Sequence, residues 1–458
     1  MAIKMGGVAN NNNLDRFSRS FVCRLLALLL VFSFVRTVYT GLRHMRVDDL
    51  QDFYVYDTAS VLVRHHESAH IYDGANTGQD PQMRWIPQTT EFAAMARQVG
   101  LPQVRMYVYP PILADLLLPI SWLGPRQAGY VWLLCNVAML IVIGWLGVQL
   151  LEIPWKSKTA ALVYLGLFSM FPVMNAMEMG QITIPLLLLW MLGFYFYKRD
   201  QVVLSALMLA LAASMKLTPL IAVIPFLIWR KWRWVFAFSA WTVVIFSLVA
   251  VVNSPGVLLD YFLHVTPAMS RGLPHPNNRS ISSSLQMIYG AFHGGTMSQL
   301  DQVISVPAPR FILLMGKVLP LALLVSVSAW VFYRARSVFK EQQIEVLAAF
   351  AVLSVVVSPV SWGHAYVLAF PMLLFTWRDA LRGQMTKPQA LLLFACSLDL
   401  AALIVDDLQR LAVMRSEIAA ALVTLLGPAT IVAAVLLALT IILKSGERST
   451  QAATWKQA

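Results

Sequence analysis

The sequence predicts an all-α polytopic membrane protein with about 12 transmembrane helices, in the range of roughly 11–13. Of its 458 residues, 58% are hydrophobic and only 13% are charged, and the mean hydropathy is +0.66. A soluble protein carries about 25% charged residues. The net charge of +12 comes from basic residues in short clusters between apolar spans, which is typical of cytoplasmic loops. No basic stripe is interleaved with aromatic residues, so we expect no nucleic-acid partner.

Apolar runs recur along the chain at lengths that suit a bilayer. The first covers residues 22–42, and Arg16, Arg19 and Arg24 at its start place the N-terminus in the cytoplasm. Later runs cover residues 129–151, 159–177, 182–197, 202–215, 217–229, 234–252, 311–333, 344–357, 365–377, 390–405 and 418–443. A run at 109–123 is too short to cross comfortably.

The positive clusters fit the cytoplasm if the run at 109–123 does not cross. Residues 1–21 and 444–458 are then cytoplasmic tails, and residues 43–107 and 253–309 are extracytoplasmic loops. We therefore expect one multi-pass domain over 1–458, in the plasma (inner) membrane, with its polar residues collected on the outer face. No small-residue cleavage site follows the basic N-terminus, which predicts an uncleaved anchor.

The segment 48–59 follows the first span and holds four of the scarce acids in ten residues. Positions that recur every three to four residues are Phe53, Tyr56, Ser60 and Val63. This spacing predicts an amphipathic helix on the membrane surface, and a second helix is expected at 89–99. A partly desolvated carboxylate there can act as a general base, and Asp52 is the candidate. Acids that simply begin a helix would give the same pattern.

Polar residues between other spans are further candidates. Lys216 lies between two apolar runs, where a cation is costly unless it meets an anion such as a lipid phosphate, although a snorkelling lysine fits equally. His364 follows Trp362 at a Pro- and Gly-rich break, where backbone can line a cavity; an interfacial histidine beside an anchoring tryptophan is the plainer interpretation. Glu178 and Gln181 suit hydroxyl recognition or an ordinary turn.

The loop at 253–309 contains Arg271, His275, Asn278 and Arg279. Arginine suits phosphate binding, but a solvated loop has the same composition.

His66-Glu67-Ser68-Ala69-His70 matches the H-E-x-x-H pattern of zinc proteases. The motif comes at a helix end, just before Asp73-Gly74, and no third ligand follows at the expected spacing. All three cysteines, Cys23, Cys135 and Cys396, fall in apolar runs, so neither a disulfide framework nor a metal site is expected.

Several motifs follow one another in a fixed order. They are Asp52-Phe53-x-x-Tyr56, Ile71-Tyr72-Asp73, Tyr109-Pro110-Pro111, Gly180-Gln181, Lys216-Leu217-Thr218-Pro219, Asn278-x-Ser280 and Ser358-Pro359-Val360-Ser361-Trp362-x-His364. Over residues 43–371 this set resembles glycosyltransferase family 87, the polyprenol-phosphate-mannose-dependent α-1,2-mannosyltransferases with the GT-C membrane fold. The set is more specific for the family than for the sugar or the acceptor.

The resemblance implies a hexosyltransferase, with mannose as the sugar, that inverts the anomeric centre without a cofactor or metal. A polyprenyl-phosphate sugar would be the donor and a glycolipid or glycan the acceptor. Asp52 and His364 are the implied catalytic residues. Substrate-binding roles are expected for Tyr56, Glu178, Gln181, Lys216, Asn278, Arg279 and Trp362. The chain departs from the family pattern at His66–His70 and at Ala365, which affects acceptor choice more than reaction class.

Other function classes remain open at the level of sequence. A ligase or polymerase of lipid-linked glycans would depend on Arg271, His275 and Arg279 rather than on Asp52. A secondary transporter would show halves related by internal symmetry, and the sequence has no such repeat. A non-catalytic relative of the family is the third alternative.

Overall fold

A computed structural model describes residues 11–46, 51–74, 86–275, 278–293, 306–334, 339–383, 385–402 and 437. Within those residues the protein is helical, with one isolated β-bridge between Asn278 and Trp362. The longer helices are α1 (Asn11–Arg46), α2 (Gln51–Arg64), α3 (Glu91–Gln98), α5 (Pro125–Leu150), α6 (Lys158–Ser169), α7 (Phe171–Met179), α8 (Thr183–Lys198), α9 (Val202–Met215), α11 (Trp232–Asn253), α14 (Ile281–Phe292), α15 (Arg310–Arg334), α16 (Lys340–Val356), α17 (Phe370–Leu381) and α18 (Lys387–Ala402). Short helices are α4 (Ile112–Leu117), α10 (Val223–Ile228), α12 (Pro255–Asp260) and α13 (Thr266–Met269).

Four helices in the described residues are long and apolar enough to cross a membrane: Phe21–Met45 within α1, then α5, α11 and α15. The bent pair α6 and α7 makes a fifth span if its 52° break is counted as one crossing. Pro172 stands in the first turn of α7, where a missing N–H is harmless. The chain is therefore an integral membrane protein, as predicted, whereas the count of about 12 helices stays a prediction.

The two helices predicted in the first loop are present as α2 and α3, but the predicted place of α2 on the membrane surface is wrong. Its side chains from Phe53 to Val63 are all buried, because α3, α4, α5 and α7 pack around it. Even polar Thr58 and Ser60 are fully buried, and the Thr58 hydroxyl donates to the Tyr54 carbonyl at 2.8 Å. α2 is thus an interior element that carries Asp52 into the protein.

The helices next to α2 are short or begin at a clear sequence signal. Thr90 caps α3 by accepting a hydrogen bond from Ala93 N at 3.2 Å. α4 has six residues and is about 9 Å long, so it does not cross a bilayer. α1 is already helical at Asn11, inside the predicted tail at 1–21.

The H-E-x-x-H segment does not lie at the end of a helix, because α2 already ends at Arg64. His66 has φ 62 and Ser68–His70 forms a 3₁₀ turn. The two histidines therefore lack the one-turn helical spacing that would place both as ligands on one face.

Helix ends gather at two opposite ends of the bundle. At the first, which we call the α2 end, Asn253 at the close of α11 donates to Asp115 Oδ1 at 2.6 Å, and Ser68 donates to the Asn253 carbonyl at 2.9 Å. At the other, the basic end, Lys198 donates to the Leu150 carbonyl at 2.8 Å and α11 begins at Trp232. The candidate span α11 runs from the basic end to the α2 end.

The contact of α5 with α6 gives a stability prediction. A Cβ at Gly144 would overlap the ring of Tyr164, which is held by a 3.0 Å hydrogen bond from its hydroxyl to the Ile141 carbonyl. Gly144→Ala is expected to lower the stability of the protein by about 1–3 kcal/mol through overpacking. Thermal unfolding of purified protein in detergent measures the change.

Gly166→Ala is the matched control, since no atom lies within 4 Å of its added Cβ. It should leave the melting temperature unchanged or raise it, because alanine favours a helix over glycine by up to about 1 kcal/mol. Equal melting temperatures for the two variants would contradict this account of the α5–α6 contact.

Candidate active site

The site begins at the turn that follows α7. Gly180 ends α7 with φ 62, a left-handed conformation that suits glycine. The indole N–H of Trp132 donates to the Gly180 carbonyl at 2.8 Å, and Trp132 also stacks on Phe53 at 5.9 Å. This turn therefore places Gln181 directly beside α2.

The side chain of Gln181 connects three groups. Its Oε1 accepts hydrogen bonds from the hydroxyls of Tyr56 at 3.1 Å and Tyr109 at 3.4 Å. Its Nε2 donates to Asp52 Oδ2. Because two hydroxyls occupy the amide oxygen, the amide nitrogen is the group that faces the carboxylate. The tyrosines thus fix the orientation of Gln181, and Gln181 fixes Asp52.

Two cations lie near the Asp52 carboxylate. Arg105 Nη1 is 3.9 Å from Asp52 Oδ1, and Lys216 acts on Asp52 through its charge. Burial raises the pKa of Asp52 above its usual value, and Arg105, the Gln181 hydrogen bond and Lys216 oppose that rise. Asp52 therefore has the properties of a base: it is desolvated, so it holds a proton more readily, yet it is surrounded by groups that favour its ionised form.

Lys216 lies in extended backbone at the end of α9, outside the five candidate spans. Burial lowers the pKa of Lys216 to about 8, against the attraction of Asp52. Burial, and secondarily Lys216, lowers the pKa of His364 well below its ordinary value. At neutral pH His364 is thus neutral and offers a hydrogen bond rather than a charge.

A clamp holds the His364 segment in place. Asn278 Oδ1 accepts from Ser361 N at 2.8 Å, while its Nδ2 donates to the Leu273 carbonyl at 2.8 Å. The Ser280 hydroxyl donates to the Pro359 carbonyl at 2.8 Å. These bonds fasten the end of the long loop to the turn before His364.

Arg279 takes part in the same clamp. Its backbone N donates to the Ser361 carbonyl at 2.8 Å, and its carbonyl accepts from the Tyr366 hydroxyl at 3.0 Å. The buried guanidinium lies 3.6 Å from Asp399 Oδ2 in α18. Arg279 therefore has an acidic partner in this structure.

The predicted site residues fall into two groups. Five are brought together by hydrogen bonds or by electrostatic interaction: Asp52, Tyr56, Gln181, Lys216 and His364. Glu178 instead pairs with His44 at 3.0 Å. Trp362 packs edge-on against His275 at 5.1 Å. The Asn278 side chain bonds to Ser361 and Leu273 within the clamp. The substrate-binding roles of these last residues, and of Arg279, stay predictions.

Sequence reasoning missed two members of the site. Arg105 stands alone in a polar segment, between buried Val104 and Met106, and no motif marks it. Tyr109 belongs to a recognised motif, but nothing in the sequence indicated that its hydroxyl meets Gln181.

For Asp57 the sequence indicates no role beyond its place in the acidic segment 48–59. It is 1% exposed, and both carboxylate oxygens lack a hydrogen-bond partner in the described structure. Burial raises the pKa of Asp57 to about 7, with a smaller opposing effect of Arg64.

Across the described ranges, no group of three or more His, Cys, Asp or Glu side chains is arranged to hold a metal ion. The side chains that meet at the site are a largely buried carboxylate, two neighbouring cations and a neutral imidazole. Such a set suits proton removal from a hydroxyl next to an anionic group.

Comparison with known proteins gives three similarities. The sequence profile of glycosyltransferase family 87 matches residues 107–359. The polyprenol-phosphate-mannose-dependent alpha-(1-2)-phosphatidylinositol mannoside mannosyltransferase of Mycolicibacterium smegmatis is 26% identical over 289 residues, 59% of this chain and 61% of that protein. The chain thus matches about three fifths of the length of this relative.

The crystal structure of ArnT from Cupriavidus metallidurans bound to undecaprenyl phosphate is also similar. It aligns with 93% of this chain and 78% of its own chain, at 15% identity and a TM-score of 0.41. The family profile includes Gln181 and Lys216, whereas Asp52 and His364 lie outside the matched segment.

The hydrogen bond from Gln181 gives a prediction about the Asp52 carboxylate. Gln181→Leu keeps the size of the side chain but removes the donor to Asp52, so the pKa of Asp52 should rise further because its ionised form loses a stabilising bond. A pH titration of the infrared carboxyl band, assigned by its loss in Asp52→Asn, measures this pKa.

Gln103→Leu is the control, because Gln103 is exposed on the same loop as Arg105. It should leave the titration midpoint of Asp52 unchanged. A midpoint for Gln181→Leu that equals wild type would show that the amide does not act on Asp52.

Proposed function

This chain belongs to glycosyltransferase family 87, and we propose that it is a membrane-embedded hexosyltransferase that uses a polyprenyl-phosphate sugar, with mannose as the sugar. The acceptor is a hydroxyl on a lipid- or glycan-linked molecule. The observation that carries the proposal is the Asp52 carboxylate, 17% exposed, held by Gln181 and flanked by Arg105 and Lys216. The donor class is supported by the name of the Mycolicibacterium smegmatis relative.

In the proposed reaction Asp52 acts as general base. Its carboxylate takes the proton of the acceptor hydroxyl as the oxygen attacks the anomeric carbon of the donor. A new glycosidic C–O bond forms, and the bond from the anomeric carbon to the phosphate oxygen breaks. The polyprenyl phosphate leaves with the electron pair, so a single displacement inverts the anomeric centre. A positioned base typically contributes about 10²–10⁴-fold to such a rate.

The leaving group needs positive charge rather than a proton. A lipid monophosphate is already a good anion, and the proposed reaction is therefore independent of a divalent metal. Lys216 and Arg105 are the cations near Asp52, and preorganised charge of this kind stabilises the transition state. Burial lowers the pKa of Lys216 to about 8, and a bound phosphate would raise it, because an anion favours the protonated amine.

His364 has a different proposed role. Because burial holds its pKa well below neutrality, it can donate a hydrogen bond to a sugar hydroxyl or a phosphate oxygen without competing as a base. The clamp around Asn278 would fix the direction of that bond.

We place the site on the extracytoplasmic face. The basic end carries Lys198, Lys340 and the run Arg230–Arg233, and loops rich in Lys and Arg favour the cytoplasm. The α2 end, with Asp52, would then face outward. A GT-C-like arrangement of about 12 helices in the inner membrane is part of the same proposal.

The central test replaces the proposed base. Asp52→Asn keeps the shape of the side chain and its contact to Gln181 but cannot take a proton, so sugar transfer should fall by about 10²–10⁴-fold. Membranes holding each variant are incubated with radiolabelled polyprenyl-phosphate mannose, a host lipid extract and EDTA. Label that moves into a glycolipid is the readout.

Asp57→Asn is the matched control, because Asp57 is a buried carboxylate on the same helix and takes no part in the hydrogen bonds of the site. It should transfer sugar like wild type. Full activity of Asp52→Asn would overturn the assignment of the base and direct attention to Arg271 and His275, on which a ligase or polymerase would depend. Loss of wild-type transfer in EDTA would overturn the metal-independent reaction.

A second test uses the pH profile. Arg105 lowers the pKa of Asp52, so Arg105→Gln should raise it. Because the active form is the deprotonated one, the acid limb of kcat/KM should move to higher pH, and activity should disappear earlier as the solution is acidified.

Arg97→Gln serves as the control for this profile, since Arg97 is exposed on α3 and bonds to Gln88. Its acid limb should coincide with that of wild type. An unmoved limb in Arg105→Gln would mean that the titrating group of the profile is not Asp52.

A further inference from the structure

A second concave site lies at the basic end, opposite Asp52. The cavity has a volume of 520 Å³ and lies between the α8–α9 turn, the α10–α11 turn and the start of α16. Cations at its wall are Arg230, Lys231, Arg233 and Lys340, and the wall has one carboxylate, Asp200.

The positive charges of this cavity are not balanced. Lys340 forms an ion pair with Asp200, so the charges of Lys340 and Asp200 balance each other. Lys340 also lies 5.8 Å from the centre of the Tyr197 ring. Arg230, Lys231 and Arg233 are exposed and form no ion pair within the described part of the chain. Three positive charges therefore converge on one cavity without an acidic partner.

The start of α11 adds to this charge. Lys231 precedes the helix and gives no side-chain cap, and the first hydrogen bond to its carbonyl comes from Trp234 N at 2.9 Å. The earliest N–H groups of a helix have no acceptor within it, and together with the helix dipole they favour an anion. Trp234 itself is fixed, since it stacks on Phe226 at 3.7 Å and donates to Ser205 Oγ at 3.1 Å.

We propose that this cavity binds a phosphate group, carried by an anionic phospholipid headgroup or present as free phosphate. Arginine matches phosphate geometry, and the volume lies within the usual range of ligand sites, about 300–1,000 Å³. Trp232, 51% exposed beside the three cations, is an aromatic residue of the type found at the boundary of membrane and water. The site lies across the membrane from Asp52 and does not depend on the proposed transferase activity.

The test compares lipid retention by the purified full-length chain. Native mass spectrometry follows protein in detergent with added phosphatidylglycerol or phosphatidylcholine, and thermal unfolding follows the same protein with inorganic phosphate. The variant Arg230→Gln/Lys231→Gln/Arg233→Gln should weaken retention of phosphatidylglycerol by at least about tenfold. Lys231→Gln alone, which disturbs the chain less, should weaken it roughly fivefold.

The matched control is Lys156→Gln/Lys158→Gln, which removes two exposed cations near the start of α6 that do not line the cavity. Retention of phosphatidylglycerol by wild type and control, with loss in the triple variant, supports the site with a lipid as its source of phosphate. If inorganic phosphate stabilises wild type and the control but not the triple variant, the result supports the site with free phosphate as the source. Equal retention and equal phosphate response in wild type and triple variant, or equal losses in triple variant and control, would overturn the proposal.

Discussion

The candidate site depends on the hydrogen bond that Gln181 donates to Asp52. That bond has one direction because the hydroxyls of Tyr56 and Tyr109 occupy the amide oxygen. The tyrosines come from α2 and from the segment before α4, and Gln181 follows α7. Three separate parts of the chain must therefore dock correctly before the carboxylate is oriented, and the orientation is lost if any one of them moves.

Charge balance is the second constraint on the site. Burial favours the protonated form of Asp52 and the uncharged form of Lys216. Each opposes the shift of the other through its own charge. Arg105 acts in the same direction on Asp52, whereas Asp57, which lacks such a neighbouring network, has a pKa of about 7.

Much of the local structure was predictable because it depends on short-range pattern. The three-to-four-residue spacing at Phe53 and Tyr56 correctly predicted α2, and the length of the run at 109–123 correctly excluded a crossing there. Periodicity reports which face of a helix is apolar, but not what covers the polar face, so the burial of α2 was missed. Asp52, Gln181 and Lys216 come from three of the ordered motifs and interact with one another in the structure.

What could not be predicted arises from pairs far apart in the sequence. Arg105 approaches Asp52 only after the first loop folds back onto α2. No motif or periodicity near Arg105 in the sequence indicates this contact. The Arg279 guanidinium lies beside Asp399, more than a hundred residues later in the chain, and no local pattern indicates that pairing. Asp48 and Asp49, and the predicted last span at 418–443 apart from Leu437, lie outside the residues that the structure describes.

The long separations within the site also have a consequence for synthesis of the protein. Gln181 follows Asp52 by 129 residues, and Ser361 follows Asn278 by 83 residues. Chains are made from the N-terminus. Asp52 is therefore synthesised long before Gln181, which donates to it, and Lys216 is synthesised before His364. The clamp can therefore close only after the ribosome has completed the turn at 358–364.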